Sequence, residues 1–218
     1  MGEINYDISC SESTFNSIKS DDRFLKMLIL SRCVNGLKFC LKSFVDTKGQ
    51  TGPLAAGIIL NSVFFSSSVL YEGFLLMDRL ANDFRDIDSF KNGFGVLLHD
   101  KNVRQLRDTF LNRMRNKFVF HFDNEVPQES LTNFKLPEYK FASGNGMSSG
   151  GMWFTLADEV VLNYLLQPDK DETDDELKKK YIKLLQDVSS IIFRFNESAE
   201  KLIAEVLGGM GFTVKFHE

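Results

Sequence analysis

Residues 53–84 read PLAAGIILNSVFFSSSVLYEGFLLMDRLANDF and include the most apolar stretch of the chain. Pro53 suits the first turn of a helix, because its missing N–H would have no partner there. Large apolar residues recur along the stretch at helical spacing, and the small residues between them permit close approach of other helices. We therefore expect one helix from Pro53 to about Phe84 that fills a core.

Similar patterns on both sides of this stretch predict the other helices. One helix begins near Arg23, where Asp21 or Asp22 can cap it, and ends in the glycine-containing segment 47–52. The final helix is favoured by acidic residues near its start, which oppose the positive end of the helix dipole. The remaining predicted helices cover residues 89–99, 101–121, 156–167 and 173–207.

The helical pattern stops between residues 122 and 151, where Pro127 and Pro137 interrupt it. Short strand-like segments flank the glycine- and serine-rich residues 143–151, which predicts a β-hairpin insertion near 133–155 with a flexible tip. Residues 211–216 form a further predicted strand that can join this hairpin. The polar residues 1–20 are expected to be loosely ordered.

The chain is thus predicted to be a single, mainly all-α domain over residues 1–218. It is a helical bundle of about four to five principal helices, with the β-hairpin inside an insertion at 122–155. The composition agrees, because 43% of the 218 residues are hydrophobic and 26% are charged, as in globular proteins. The net charge of −4 excludes a surface that is basic throughout, although it permits a local basic patch.

Several other classes of protein are not predicted. The N-terminus carries acids where a signal peptide needs bases, and polar residues such as Asn61 and Glu72 interrupt the most apolar stretch, so we expect a cytoplasmic protein without a membrane span. The three cysteines form no CxxC pair, and we expect neither a metal site nor a cofactor. The phosphate-loop and HExxH motifs are missing from the sequence, and no G-x-S-x-G motif occurs in the strand–turn–helix setting of a hydrolase nucleophile.

The helix predicted over 101–121 combines an apolar stripe with basic faces. Arg104, Arg107, Arg113 and Lys117 make it the strongest local positive patch, and we predict these four as RNA-contacting residues. The apolar stripe has the spacing of a core-facing helix. It consists of Val103, Leu106, Phe110, Met114 and Phe118.

Arg115 and His121 are the candidate catalytic residues on this helix. The Arg115 guanidinium is a permanent cation suited to phosphate, and the His121 imidazole can take or give a proton near neutral pH. On an ideal helix they lie about 120° apart around the axis and about 9 Å apart along it. They can converge if the helix ends at His121, and Asn116 can fix the imidazole tautomer by a hydrogen bond.

These groups suit metal-independent cleavage of RNA. A base removes the proton of the ribose 2′-OH, the alkoxide attacks phosphorus, and a cation stabilises the phosphoryl oxygens. One imidazole does not easily serve as both base and acid, whereas two copies across a symmetric dimer can. The alternative is that Arg115 is a surface cation and His121 a helix-terminal residue in an unrelated bundle.

The segment Arg115-Asn116-Lys117-Phe118-Val119-Phe120-His121 resembles the signature of the HEPN superfamily: Arg, a polar residue, about four further residues, then His. HEPN domains are helical bundles with this motif late on a core helix. The resemblance implies that Arg115 and His121 form a catalytic pair, that Asn116 supports them, and that two motif helices meet in a homodimer.

The family resemblance also carries expectations about biology. Many HEPN proteins are endoribonucleases of phage defence, toxin–antitoxin pairs or stress responses, and the size of this chain is similar to that of abortive-infection members. RNA and an antitoxin protein are then the expected partners. Some members use an acidic residue from a neighbouring helix, for which Glu72 and Asp78 are both candidates. Other members are non-catalytic modules that bind RNA, nucleotide or a protein, which is the alternative function.

Overall fold

The structure is a computed structural model that describes residues 5–47, 49–116, 130–131, 142–144, 152–168 and 172–217. Helices dominate it, which confirms the predicted all-α bundle with a small β element. The elements in chain order are β1 (Asn5–Ser9), α1 (Glu12–Ile18), α2 (Asp22–Asp46), α3 (Pro53–Phe84), α4 (Asp88–His99), α5 (Lys101–Met114, with helical backbone to Asn116), β2 (Ser143–Gly144), β3 (Met152–Trp153), α6 (Thr155–Leu166), α7 (Asp174–Gly209) and β4 (Thr213–His217).

Helix α3 lies at the centre of the bundle. Three successive residues, Ser66, Ser67 and Ser68, are completely buried. Because successive side chains leave a helix about 100° apart, this burial means that neighbouring elements cover α3 on several sides at this level. The helix packs against α2, α7 and α5, and it starts at Pro53 as predicted.

The three longest helices are held in register by specific contacts. Lys26 of α2 binds Asp83 of α3 at 2.7 Å, so the two helices run antiparallel. Gly73 of α3 lets α7 approach, because a Cβ at this position would lie 2.6 Å from the ring of Phe195 and 3.0 Å from the Sγ of Cys33. Side chains of every helix except α1 join one buried core that contains many of the phenylalanines.

Two helices contain π-helical stretches that the sequence pattern does not predict. In α4 the stretch is Lys91–Gly95, and in α5 it is Arg107–Leu111. A π turn closes i→i+5 hydrogen bonds and therefore holds one residue more than an α turn. The extra residue in α5 changes which side chains share a face, and the candidate site depends on this change.

The strands differ from expectation in their pairing. β4 pairs with β1, with Ile8 opposite Val214, and not with the predicted hairpin. The ring of Phe212 stacks on that of Phe24 at 6.0 Å, which draws the end of the chain towards the start of α2. Residues 5–20, expected to be loosely ordered, therefore form β1 and α1.

The predicted hairpin is present in part. β2 pairs antiparallel with β3 inside the range 133–155, with Ser143 opposite Trp153. The strand-like segments expected before the glycine- and serine-rich residues, at 134–136 and 139–141, lie outside the described residues.

The helix segment Leu54–Phe84 of α3 is long and apolar enough to cross a membrane, judged by length and composition alone. Inside the bundle, 56% of the most apolar window is buried. The core helix of a soluble protein passes the same test, so the cytoplasmic location stays a prediction.

Candidate functional site

Arg115, at the end of α5, forms an ion pair with α3. Its Nε donates to Oε1 of Glu72 at 2.9 Å. The pair is only half-buried, because the Arg115 side chain is 39% exposed and that of Glu72 43% exposed. Glu72 thus orients the guanidinium without removing it from solvent, which leaves it accessible to an anionic ligand.

Asn116 extends this arrangement along α5. Its Oδ1 accepts a hydrogen bond from Nη1 of Arg115 at 2.9 Å, and its Nδ2 donates to Oδ1 of Asn112 at 2.7 Å. Two of the guanidinium nitrogens are therefore fixed by side chains from two helices. In this structure the Asn116 amide positions Arg115, whereas the sequence suggested that it would fix an imidazole.

The π turn of α5 explains why two arginines reach α3. Arg107 and Arg115 are eight residues apart, which would place them about 80° apart on an ideal α-helix. If the π turn Arg107–Leu111 absorbs one residue, the separation falls to about 20°, and both side chains face α3. Arg107 binds Asp78 there, as Arg115 binds Glu72. Of the two acidic candidates, Glu72 is thus the one beside Arg115.

Three of the four predicted RNA-contacting residues already contact other groups of the protein. Arg107 is paired with Asp78 and lies over the ring of Phe74, with 5.9 Å to its centroid. The guanidinium of Arg113 lies 5.7 Å from the ring centroid of Tyr164. Arg104 is exposed, although its Nε donates to the Leu98 carbonyl at 2.7 Å. Lys117 and the candidate catalytic His121 lie outside the described residues.

A groove between α2 and α3 reaches Glu72 and was not predicted. Its volume is about 340 Å³, and its floor includes Cys33, Val69 and Leu76. Arg32 and Arg79 line it, and neither has an acidic partner among the described residues. No local sequence pattern identifies these two arginines, since they come from different helices and converge only in the fold.

The groove has no activated nucleophile. Burial, with a smaller contribution from the negative charge of Glu72, raises the pKa of the Cys33 thiol to about 12. Its Sγ contacts the Val69 carbonyl at 3.6 Å. The thiol therefore stays protonated at neutral pH. Within the described ranges, no three His, Cys, Asp or Glu side chains are grouped so as to hold a metal ion.

No family model matches the chain, and no curated protein or solved structure matches it either. The resemblance to the HEPN superfamily therefore stays a prediction from the sequence motif.

Proposed function

We propose that this protein is a metal-independent endoribonuclease of the HEPN type, with Arg115 and His121 as its catalytic pair and RNA as its substrate. The observation that carries the proposal is the half-buried Glu72–Arg115–Asn116 arrangement at the end of α5. Because Glu72 and Asn116 hold the guanidinium from two helices while it stays accessible, it is pre-oriented for a phosphate oxygen. The role in phage defence or in a toxin–antitoxin or stress response belongs to the same proposal.

In the proposed reaction, Arg115 stabilises negative charge on the phosphoryl oxygens during attack by the ribose 2′-OH. Pre-oriented cations are effective in this role because they need little reorganisation when charge develops. Glu72 and Asn116 supply the orientation through Nε and Nη1, and Nη2, which has no partner among the described residues, donates to phosphate in the proposed reaction. His121 transfers the proton, and a symmetric dimer supplies the second imidazole that the leaving oxygen requires.

The proposal is tested by RNA cleavage in EDTA. We expect the wild-type protein to cut RNA, and Arg115→Ala and His121→Ala to lower the rate about 100-fold or more. Arg194→Ala is the matched control, because Arg194 also forms a 2.9 Å ion pair and has a similarly exposed side chain. Its rate should equal that of the wild type.

Two results would count against the enzyme. Full cleavage by the Arg115→Ala variant would show that the motif is not the active site. RNA binding without any cleavage would favour the alternative function, a non-catalytic module. In that case a steep loss of affinity with rising salt would identify phosphate contacts, and a flat response would exclude Arg104, Arg107, Arg113 and Lys117 as the RNA path.

A further inference from the structure

Helix α2 is apolar on two sides. One side faces the core, whereas the opposite side exposes a second stripe of large apolar residues. These exposed residues lie within about 100° of one another around the helix, three of them near its start and Phe39 ten residues further along. They are Leu25 (43% exposed), Leu28 (51%), Ile29 (57%) and Phe39 (74%).

Helix α3 continues this apolar surface across the groove. The antiparallel contact of Gly36 with Val69 sets Phe39 level with Phe65, which is 53% exposed. Ile29 of α2 and Val69 of α3 line the groove between the two helices. We call this surface the α2–α3 face, and define it by Leu25, Leu28, Ile29, Phe39 and Phe65 together with the groove.

The described part of the basic helix provides no such surface, because among residues 101–116 no large apolar side chain is exposed. A symmetric interface formed by residues 101–116 alone would therefore bury cations without an apolar centre. The α2–α3 face borders the same site from the other direction, because Glu72 lines the groove and holds Arg115.

The size of the face fits a second copy of this chain. From Leu25 to Phe39 the stripe is about 21 Å long. Five half-exposed large side chains present on the order of 400 Å² of apolar surface, and a standard interface buries about 800 Å² per partner, of which somewhat more than half is apolar. The apolar part of the face is thus close to what one side of a stable dimer contains.

The face also carries charges of both signs. Arg32 and Arg79 line the groove without acidic partners among the described residues, and the half-exposed Glu72 lies beside them. A two-fold axis apposes the face to its own copy, so that Glu72 of one protomer can approach a groove arginine of the other. A uniformly acidic or uniformly basic surface would not allow this pairing.

We propose that two copies of this chain dock through the α2–α3 face about a two-fold axis, which brings the two Glu72–Arg115 pairs to the same interface. The consequence for catalysis rests on the proposed function, since the shared site needs an imidazole from each protomer. The docking itself rests only on the apolar and charged groups of the face.

Sedimentation equilibrium of the full chain tests the docking. We expect the wild type to have twice the chain mass, and Ile29→Asp and Phe39→Asp to raise the dimer dissociation constant about 100-fold, because each buries a carboxylate in the interface. Val45→Asp is the matched control: Val45 lies on the same helix and is 68% exposed, but points about 120–160° away from the face. It should dimerise like the wild type, and circular dichroism should show the same helix content in all four proteins.

The outcomes separate this inference from the proposed function. A dimer that is lost only in the face variants, in a protein that does not cut RNA, supports the docking and overturns the nuclease. Face variants that still dimerise overturn the docking and leave the nuclease in place, whereas a wild type that cuts RNA as a monomer overturns both the docking and the proposed pair of imidazoles. Equal loss of the dimer in Val45→Asp would also overturn it. If the face variants lose RNA binding but associate as the wild type does, the groove binds RNA and the docking is overturned as well.

Discussion

The two ends of α5 are each held by an arginine–carboxylate pair at 2.9 Å, yet the pairs differ in what the carboxylate does. At the start, the carboxylate belongs to α5 itself: Asp100 binds Arg194 of α7. At the end, the guanidinium belongs to α5, and Arg115 is bound by Glu72 of α3. The distances are the same, so the difference in role must come from the remaining contacts of each pair.

Asp100 also caps the start of α5, a role that Glu72 does not have. Its Oδ1 accepts hydrogen bonds from the backbone N–H groups of Asn102 and Val103, at 2.9 and 3.4 Å, and so caps the helix. Unsatisfied N–H groups at a helix start are costly, whereas the guanidinium of Arg115 would be solvated without Glu72. The first pair therefore stabilises the fold, whereas the second contributes little to stability; on the proposed function it orients Arg115 for phosphate.

The largest expected effect on stability is at the start of α5. Asp100→Ala should lower the free energy of unfolding by about 1–2 kcal/mol, because it removes both the cap and the ion pair. Arg194→Ala removes only the ion pair and should cost less than about 1 kcal/mol. Urea unfolding of the two variants measures both values, and equal losses would mean that the cap contributes nothing.

Much of the fold follows from local sequence signals. The Asp21 cap of α2 accepts from the N–H groups of Arg23 and Phe24, and Thr173 and Glu176 form a reciprocal capping box at the start of α7. Such caps act within one turn, so the sequence places these helix ends within about two residues. The pairing of β1 with β4 joins residues some 200 positions apart, and no local signal identifies the partner of a short strand.

The candidate site is predictable in its residue types but not in its geometry. Arg115 and Asn116 stand out because the motif is contiguous. The choice of Glu72 over Asp78 depends on the π turn in α5, which shifts the helix face by one residue and leaves no clear mark in the apolar spacing. Arg32 and Arg79 escaped prediction because two separate helices bring them to one groove.

The pH dependence of stability gives an intermediate effect that isolates the charge of Asp100. The hydrogen bond from Arg194, and those from the N–H groups of Val103 and Asn102, hold the pKa of the Asp100 carboxyl below its ordinary value. A lowered pKa contributes stability above the ordinary value of about 3.9, and the contribution is lost as the pH falls through the folded-state pKa.

Asn caps a helix nearly as well as Asp, so Asp100→Asn removes the charge and keeps the cap. The stability difference between the wild type and this variant should be constant near neutral pH and shrink as the pH is lowered past about 4. Urea unfolding at a series of pH values measures it. A difference that stays constant down to pH values well below 4 would show that the charge of Asp100 contributes nothing to stability.

The smallest expected effect on stability is at the other end of α5. Glu72→Gln should change the free energy of unfolding by no more than about 0.5 kcal/mol, because half-exposed ion pairs contribute little. On the proposed function its RNA cleavage should nevertheless fall about tenfold, since a neutral amide holds the guanidinium less strongly than a carboxylate does. Asp78→Asn is the matched control, because Asp78 holds Arg107 from the same helix and should leave the cleavage rate at saturating RNA unchanged. If Glu72→Gln destabilises the protein as much as Asp100→Ala while cleavage of the folded fraction is normal, both ends of α5 are structural and Arg115 loses its special role.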